Sequence, residues 1–183
     1  SCGGCSLQHA DYETQLAVKK QILEDLLGDV YQPSRSFVPS PQQFGYRQRI
    51  RLQVQENHLG FKRFRSNEVI AVQACLLAHD PINSVMESLL SDFRSFRLFA
   101  NSTEVEFLFN PESTSVTLLF HCQRKPRPAE LKAATKLVQQ TTDLKNIYFT
   151  GTTFSRMGPY PENAIDLYGS RLSSLITTTS AVK

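Results

Sequence analysis

Glycine, methionine and cysteine are all scarce in this chain: eight, two and four among 183 residues. Two of the glycines stand side by side, at Gly3 and Gly4, and none forms a glycine-rich turn between a strand and a helix. A doubly wound domain that cradles a nucleotide-type cofactor on such a turn is therefore excluded for this stretch. Four cysteines are too few for a secreted disulfide scaffold, and with two of them in a C-x-x-C pair they fit a metal or redox site better. No apolar run approaches the roughly 20 residues of a membrane-spanning helix, and no signal-peptide pattern opens the chain. A cytoplasmic protein with no membrane partner is expected. The sequence has no internal repeat and no low-complexity tract. Its net charge of +3 is too small to assign a nucleic-acid partner by itself. What remains is an ordinary globular composition, 40% hydrophobic and 20% charged, in a chain long enough for one domain with a good core or for two small ones.

Cys2 and Cys5 bracket the two glycines. That spacing lets two thiolates converge on one metal or cluster, and glycine is expected between them because it reaches φ > 0 without a Cβ clash. Alone, the pair is compatible with half a zinc site, part of an iron–sulfur site, a redox dithiol or two unremarkable thiols. An amphipathic helix pattern follows at once, with Tyr12, Leu16, Ile22, Leu23, Leu26 and Leu27 on one face and Lys19, Lys20 and Glu24 on the other. Gly28 is placed to stop it.

Residues 32–45 carry Pro33, Pro39 and Pro41 and read as an extended connector. Residues 46–55 alternate as a half-buried strand, with Ile50, Leu52 and Val54 opposite Arg47, Arg49 and Arg51. A turn at Glu56-Asn57 predicts a return strand over 59–64, and a turn at Ser66-Asn67 a third over 68–72, together an antiparallel meander. Helices are expected over 81–93 and 129–140, a hairpin over 104–109 and 116–121, and shorter strands over 147–150, 164–168 and 171–176. The fold class is α+β: a cysteine loop and helix (1–31), the connector (32–45), then a mostly antiparallel sheet with two packed helices (46–183).

Basic residues concentrate in the meander: Arg47, Arg49, Arg51, Lys62, Arg63 and Arg65, interleaved with Tyr46, Phe61 and Phe64. Arg124, Lys125 and Arg127 form a second run. Arginines alternating along a strand suit a solvated sheet face and an RNA-binding face equally well. Cys122 ends an apolar strand with nothing nearby to mark a nucleophile. His58 and His79 are expected in solvent, and His9 and His121 each invite a ligand reading.

The string Cys2, Gly3, Gly4, Cys5, Leu7, Gln8, His9, Tyr12, Gln15, Leu16 and Lys19 resembles the iron–sulfur segment of the RNA uracil-5-methyltransferases. Leu59 to Phe61, Ser66, the run Val69, Ile70, Ala71, Val72, and then Cys75, Leu76, Leu77 resemble the stretch that ends in that site's last ligand. The resemblance implies a 4Fe-4S cluster with Cys2, Cys5 and Cys75 as three of four ligands, the other falling before Cys2, and His9 as a packing residue beside it. Taken singly, Cys75 reads equally as a buried structural cysteine. The family's sheet faces RNA, which implies contacts from Tyr46, Arg47, Arg49, Arg51, Lys62, Arg63 and Arg65, guanidinium groups bridging phosphates and aromatic rings stacking on unpaired bases.

The resemblance also implies S-adenosylmethionine as methyl donor, rRNA or tRNA as substrate, and a cysteine thiolate that adds to uracil C6 before C5 is methylated. The family's cofactor turn, its Asp-Pro-Pro-Arg-type motif, its nucleophile motif and the barrel common in relatives have no counterpart here. The expectation is a monomeric, non-catalytic fragment covering the family's central domain. Two rival readings are a redox or iron–sulfur module and a zinc-containing RNA-binding module unrelated to methyl transfer.

Overall fold

The computed structural model describes residues 2–30, 38–92 and 95–151, and the backbone of 154–157. Seven strands form one sheet in the order β3-β2-β1-β4-β5-β6-β7. They are β1 (Arg49–Gln55), β2 (His58–Lys62), β3 (Val69–Ala71), β4 (Ser102–Asn110), β5 (Ser115–Cys122), β6 (Leu144–Gly151) and β7 (Phe154–Met157). Every pairing is antiparallel except β5 with β6. The predicted α+β class, the meander and the central hairpin are therefore present.

Local chemistry explains the elements. Glu56 and Asn57 both take positive φ, 50° and 65°, as a two-residue turn matched to the sheet's twist demands. Gly60 in β2 has no room for a side chain: a Cβ there would lie 2.0 Å from the Ile70 carbonyl oxygen of β3. Helix α2 (Asp80–Ser91) opens with proline in its first turn, where the missing N–H had no partner. A short helix, α3 (Ser95–Phe99), follows beyond the helix expected over 81–93, where the pattern placed no element, because five residues are too few to show a period. Helix α4 (Pro128–Gln140) is the crossover that a parallel β5–β6 pair requires.

The core lies on one face of the sheet. Ile50 and Leu52 of β1, Val105, Phe107 and Phe109 of β4, and Val116, Leu118 and Phe120 of β5 meet Ile82, Val85, Met86 and Leu89 of α2. Ala133, Ala134 and Leu137 of α4 continue that layer toward Ile147 and Phe149 of β6. This is the ordinary amphipathic solution, helices laid on the apolar face of a twisted sheet.

The first helix, α1 (Tyr12–Leu27), stops at Gly28 as expected, and Asp11 caps its start. Asp11 accepts from the Thr14 N–H, and Gly28 at φ 49° returns its N–H to Glu24. Its expected apolar face is only partly covered, with Tyr12, Leu16 and Leu23 half-buried. No residue of α1 is buried, and Ile22, Leu26 and Leu27 stay exposed among the described residues. Amphipathic periodicity announces a face that wants a partner; it does not supply one. Tyr12 ties the helix to the connector, its hydroxyl accepting from the Ser40 N–H at 2.7 Å. The strands expected over 164–168 and 171–176, and residues 31–37 of the connector, lie outside the described residues, while β7 was not foreseen. Among the described residues no helix is long and apolar enough to cross a membrane.

Candidate cysteine centre and nucleic-acid interface

The cysteine loop is held by its own backbone and by the sheet. Gln8 Nε2 donates to the Cys2 carbonyl at 2.6 Å, and Gln15 Nε2 donates to the Ala10 carbonyl at 3.0 Å. The glycines serve close approach, and here the expectation of positive φ is corrected: among the described glycines, only Gly28 and Gly45 have it. A Cβ on Gly3 would sit 1.7 Å from the Lys62 carbonyl oxygen, and one on Gly4 would sit 3.2 Å from the Phe61 ring. The loop therefore lies flat against the end of β2 because two side chains are missing.

Cys75 arrives from the opposite direction, after β3, and is 9% exposed. Asn83 of α2 clamps its backbone, Oδ1 accepting from the Cys75 N–H at 2.9 Å and Nδ2 donating to the Cys75 carbonyl at 3.1 Å. Asn83 is a positioning residue that the sequence reading missed; its only signal was an amide one turn into a helix that begins just after a cysteine. Arg47 closes the same corner. Its N–H donates to the Leu77 carbonyl at 2.7 Å, and its own carbonyl accepts from the His79 N–H at 3.1 Å.

The Cys5 thiol feels the other two. Burial pushes the Cys5 thiol up; the Arg47 guanidinium opposes this, and the Cys2 and Cys75 thiols reinforce it. All four cysteines are free. Among the described residues no three His, Cys, Asp or Glu side chains gather as ligands for a single ion. Cys122 stands apart. Burial raises its thiol to about 11 although the Ser102 hydroxyl 3.8 Å away pulls the other way, so it holds no thiolate at neutral pH. His9 and His58 are exposed. His79 is not in solvent as expected but half-buried, its ring 4.7 Å from that of Phe109.

The basic meander resolves into two groups. Arg49 donates to Glu106 from Nε at 2.8 Å and from Nη2 at 2.6 Å. Arg51 reaches Glu106 with Nη2 and Glu104 with Nη1, the latter at 3.2 Å. Gln53 Nε2 donates to Glu104 at 2.7 Å, and His121 Nε2 lies 2.8 Å from Glu106. These contacts follow from register, since Arg51 faces Glu106 and Gln53 faces Glu104 across β1 and β4. Glu106 is 2% exposed. Burial alone would raise its carboxyl, but the His121 hydrogen bond and the charges of Arg49 and Arg51 outweigh burial and hold it at about 2.

Arg63 is also paired, to Glu68 at 3.1 Å. Arg47, Lys62 and Arg65 make no ion pair among the described residues, and Tyr46 is exposed. Of the implied RNA contacts, Arg49 and Arg51 are thus engaged by carboxylates, and Arg47 lies outside β1 in a bridge with Ala78. The second basic run is likewise structural at its first member. Arg124 grips Glu130 with both terminal nitrogens, at 3.0 and 2.6 Å, and Glu130 also accepts from the Arg127 N–H at 2.7 Å.

The tRNA (uracil-5-)-methyltransferase family description matches residues 11–151. The chain belongs to this family. It is 37% identical over 123 residues to an uncharacterized RNA methyltransferase of Aquifex aeolicus, covering 65% of this chain and 28% of that protein. It is 35% identical over 141 residues to the 23S rRNA (uracil(1939)-C(5))-methyltransferase RlmD of Pseudomonas putida, covering 72% of this chain and 30% of that one. In fold it is similar to the crystal structure of Pyrococcus abyssi tRNA (uracil-54, C5)-methyltransferase in complex with S-adenosyl-L-homocysteine. The TM-score is 0.61 at 21% identity, over 82% of this chain and 37% of that one. The chain thus spans under a third of the length of these two curated relatives.

The Glu106 network makes a prediction about acid stability. A carboxylate held at about 2, against an ordinary 4.5, stabilises the fold fully above pH 4.5, and the contribution fades as pH falls toward 2. Glu106→Gln should lower stability at pH 7 by about 1.5–3 kcal/mol, the range for hydrogen bonds to charged groups. The mutant should also lose less stability than the parent between pH 4.5 and 2.5. Urea unfolding at a series of pH values measures both, and an unchanged acid slope would show that the network stores no such energy.

Proposed function

We propose that this chain is the RNA-binding, cysteine-bearing central part of an S-adenosylmethionine-dependent RNA uracil-5-methyltransferase that forms 5-methyluridine in rRNA or tRNA. The observation that carries the reading is the family match over residues 11–151, at under a third of the length of the curated relatives in which 5-methylation is named. RNA is the partner, the cytoplasm the compartment and a monomer the working form.

In this reading methyl transfer belongs to parts of the parent protein other than residues 2–151. Cys122 is buried with its thiol at about 11, unfit to add to uracil C6, and the described strands and helices offer no glycine-rich turn for the methyl donor. This part binds and orients folded RNA, which fixes the target base against a reacting centre that it does not itself contain. Arg47, Lys62 and Arg65 meet phosphates; Arg49 and Arg51, still half-exposed beside their carboxylates, line the same sheet.

Cys2, Cys5 and Cys75 are the residues that would hold a 4Fe-4S cluster. The three thiols are free, those of Cys2 and Cys75 both act on Cys5 although Cys75 comes from a distant segment, and a cubane takes one thiolate per iron, so its cysteines stand wider apart than the ligands of a single ion. When bound, such a group cross-links the N-terminal loop to the segment that follows β3. A redox dithiol is the weaker alternative, because burial raises the Cys5 thiol where a reactive pair needs a lowered one.

Three outcomes are expected. Incubated with labelled S-adenosylmethionine and unmodified rRNA, the chain transfers no label; clear transfer removes the non-catalytic reading. Anaerobic reconstitution gives iron with acid-labile sulfide that is lost in air, since three thiolates leave one iron open to oxidant; zinc without sulfide would overturn the cluster assignment and leave the family unchanged. RNA binding weakens with salt, and the Arg47→Ala, Lys62→Ala double mutant weakens it about equally for different RNAs and flattens the log–log slope by roughly one to two units. Unchanged affinity and slope in the double mutant would mean that these cations only solvate the sheet.

A further inference from the structure

The turn between β2 and β3 is built more firmly than its position requires. The Arg63 N–H donates to the Glu68 carbonyl at 2.8 Å, the Ser66 N–H to the Arg63 carbonyl at 3.0 Å, and the Glu68 N–H to the Ser66 hydroxyl at 3.0 Å. The Arg63–Glu68 ion pair closes the outside, and the Gln55 side chain accepts from the Val69 N–H at 2.9 Å. At the tip of this fixed turn stands Phe64, 72% exposed.

A single exposed phenylalanine is common on protein surfaces and needs no explanation by itself. This one has a specific neighbour. The Arg65 guanidinium lies 5.1 Å from the centre of the Phe64 ring, a cation–π contact. Arg65 reaches it from a backbone φ of 54°, in the left-handed region that a non-glycine residue seldom enters. The tip therefore holds an aromatic ring in water with a cation beside it. Lys62 adds a second cation without an ion-pair partner among the described residues, while Glu68 is already engaged by Arg63.

We propose that Phe64 is a stacking platform for an unpaired RNA base, with Arg65 bracing the ring and Lys62 and Arg65 neutralising the phosphates on either side. Every base offers a π-face, so such a platform selects single-stranded over duplex RNA without choosing a sequence. The charge of the tip favours this partner over a protein one: a protein surface would need to present an apolar pocket rimmed by acids, whereas an RNA loop carries both a ring face and adjacent anions. The platform rests on the RNA-binding reading above, and adds to it the class of RNA structure that this end of the sheet recognises.

The whole chain can be tested with two RNA probes, a stem–loop carrying 2-aminopurine in the loop and a blunt duplex of the same stem. Phe64→Ala and Phe64→Leu should weaken loop binding by about 5- to 100-fold, the equivalent of losing one stacked base. Both should leave duplex binding and the salt slope unchanged, since no charge is removed. Phe64→Trp should bind the loop within about two-fold of the parent, because an indole also stacks. The 2-aminopurine fluorescence should be quenched on binding the parent chain and not on binding Phe64→Ala. Loop affinity untouched in Phe64→Ala overturns the platform, and so does an equal loss on loop and duplex. If the Arg47→Ala, Lys62→Ala pair still weakens binding in those cases, the RNA reading stands without the platform. A parent chain that binds neither probe removes both.

Discussion

The cysteine-bearing end of this molecule depends on a contact with no room in it. The Lys62 carbonyl lies where a Cβ of Gly3 would be, and the Phe61 ring lies against Gly4. No residue of helix α1 is fully buried, and Tyr12, Leu16 and Leu23 are only half-buried, so apolar packing holds the N-terminal segment weakly. The described contacts that hold the cysteine loop to the sheet are this close approach and the Tyr12 tether to the connector. Asn83 does the corresponding work for Cys75 by pinning both polar groups of its backbone to α2. Two unrelated pieces of chain are thus delivered to one corner by backbone-level constraints.

Buried charge sorts the basic residues by role. Glu106 has lost its water, and its two oxygens are met by Arg49, Arg51 and His121. Removing any one partner would leave part of a buried carboxylate unmatched, which is costly, so these arginines answer first to the fold. The cations with freedom to meet a polyanion are those outside this arrangement, and two of them, Lys62 and Arg65, lie at the β2–β3 turn. A formal charge of +3 hides this partition entirely.

The sequence made the pleat legible but not the pairing. Alternation along 49–55 named the buried face correctly, because period two is a property of one strand. Glu104 and Glu106 alternate in the same way, and that complementarity was visible in principle. Which glutamate meets which arginine depends on register, and register is set by neighbours far along the chain. The glycine pair shows the same limit. Its spacing marked a tight approach of something, but the partner was a carbonyl some sixty residues away, and only the folded backbone reveals it. The effect of the Cys75 thiol on Cys5 likewise appears only in the folded chain, seventy positions apart in sequence.

Lys62 joins the two halves of the molecule's chemistry. Its carbonyl receives the cysteine loop, and its side chain stands with the open cations of the hairpin. Gly60, two residues earlier, presses against the Ile70 carbonyl and keeps β2 and β3 in close contact up to the turn. A shift of the loop at Gly3 must therefore move the backbone of β2, and with it the base of the turn that carries Phe64 and Arg65. Close packing transmits such displacements rather than absorbing them. In the proposed reading, a group held by Cys2, Cys5 and Cys75 would therefore bear mechanically on the β2–β3 turn, with no electron transfer needed to give the cysteines a purpose.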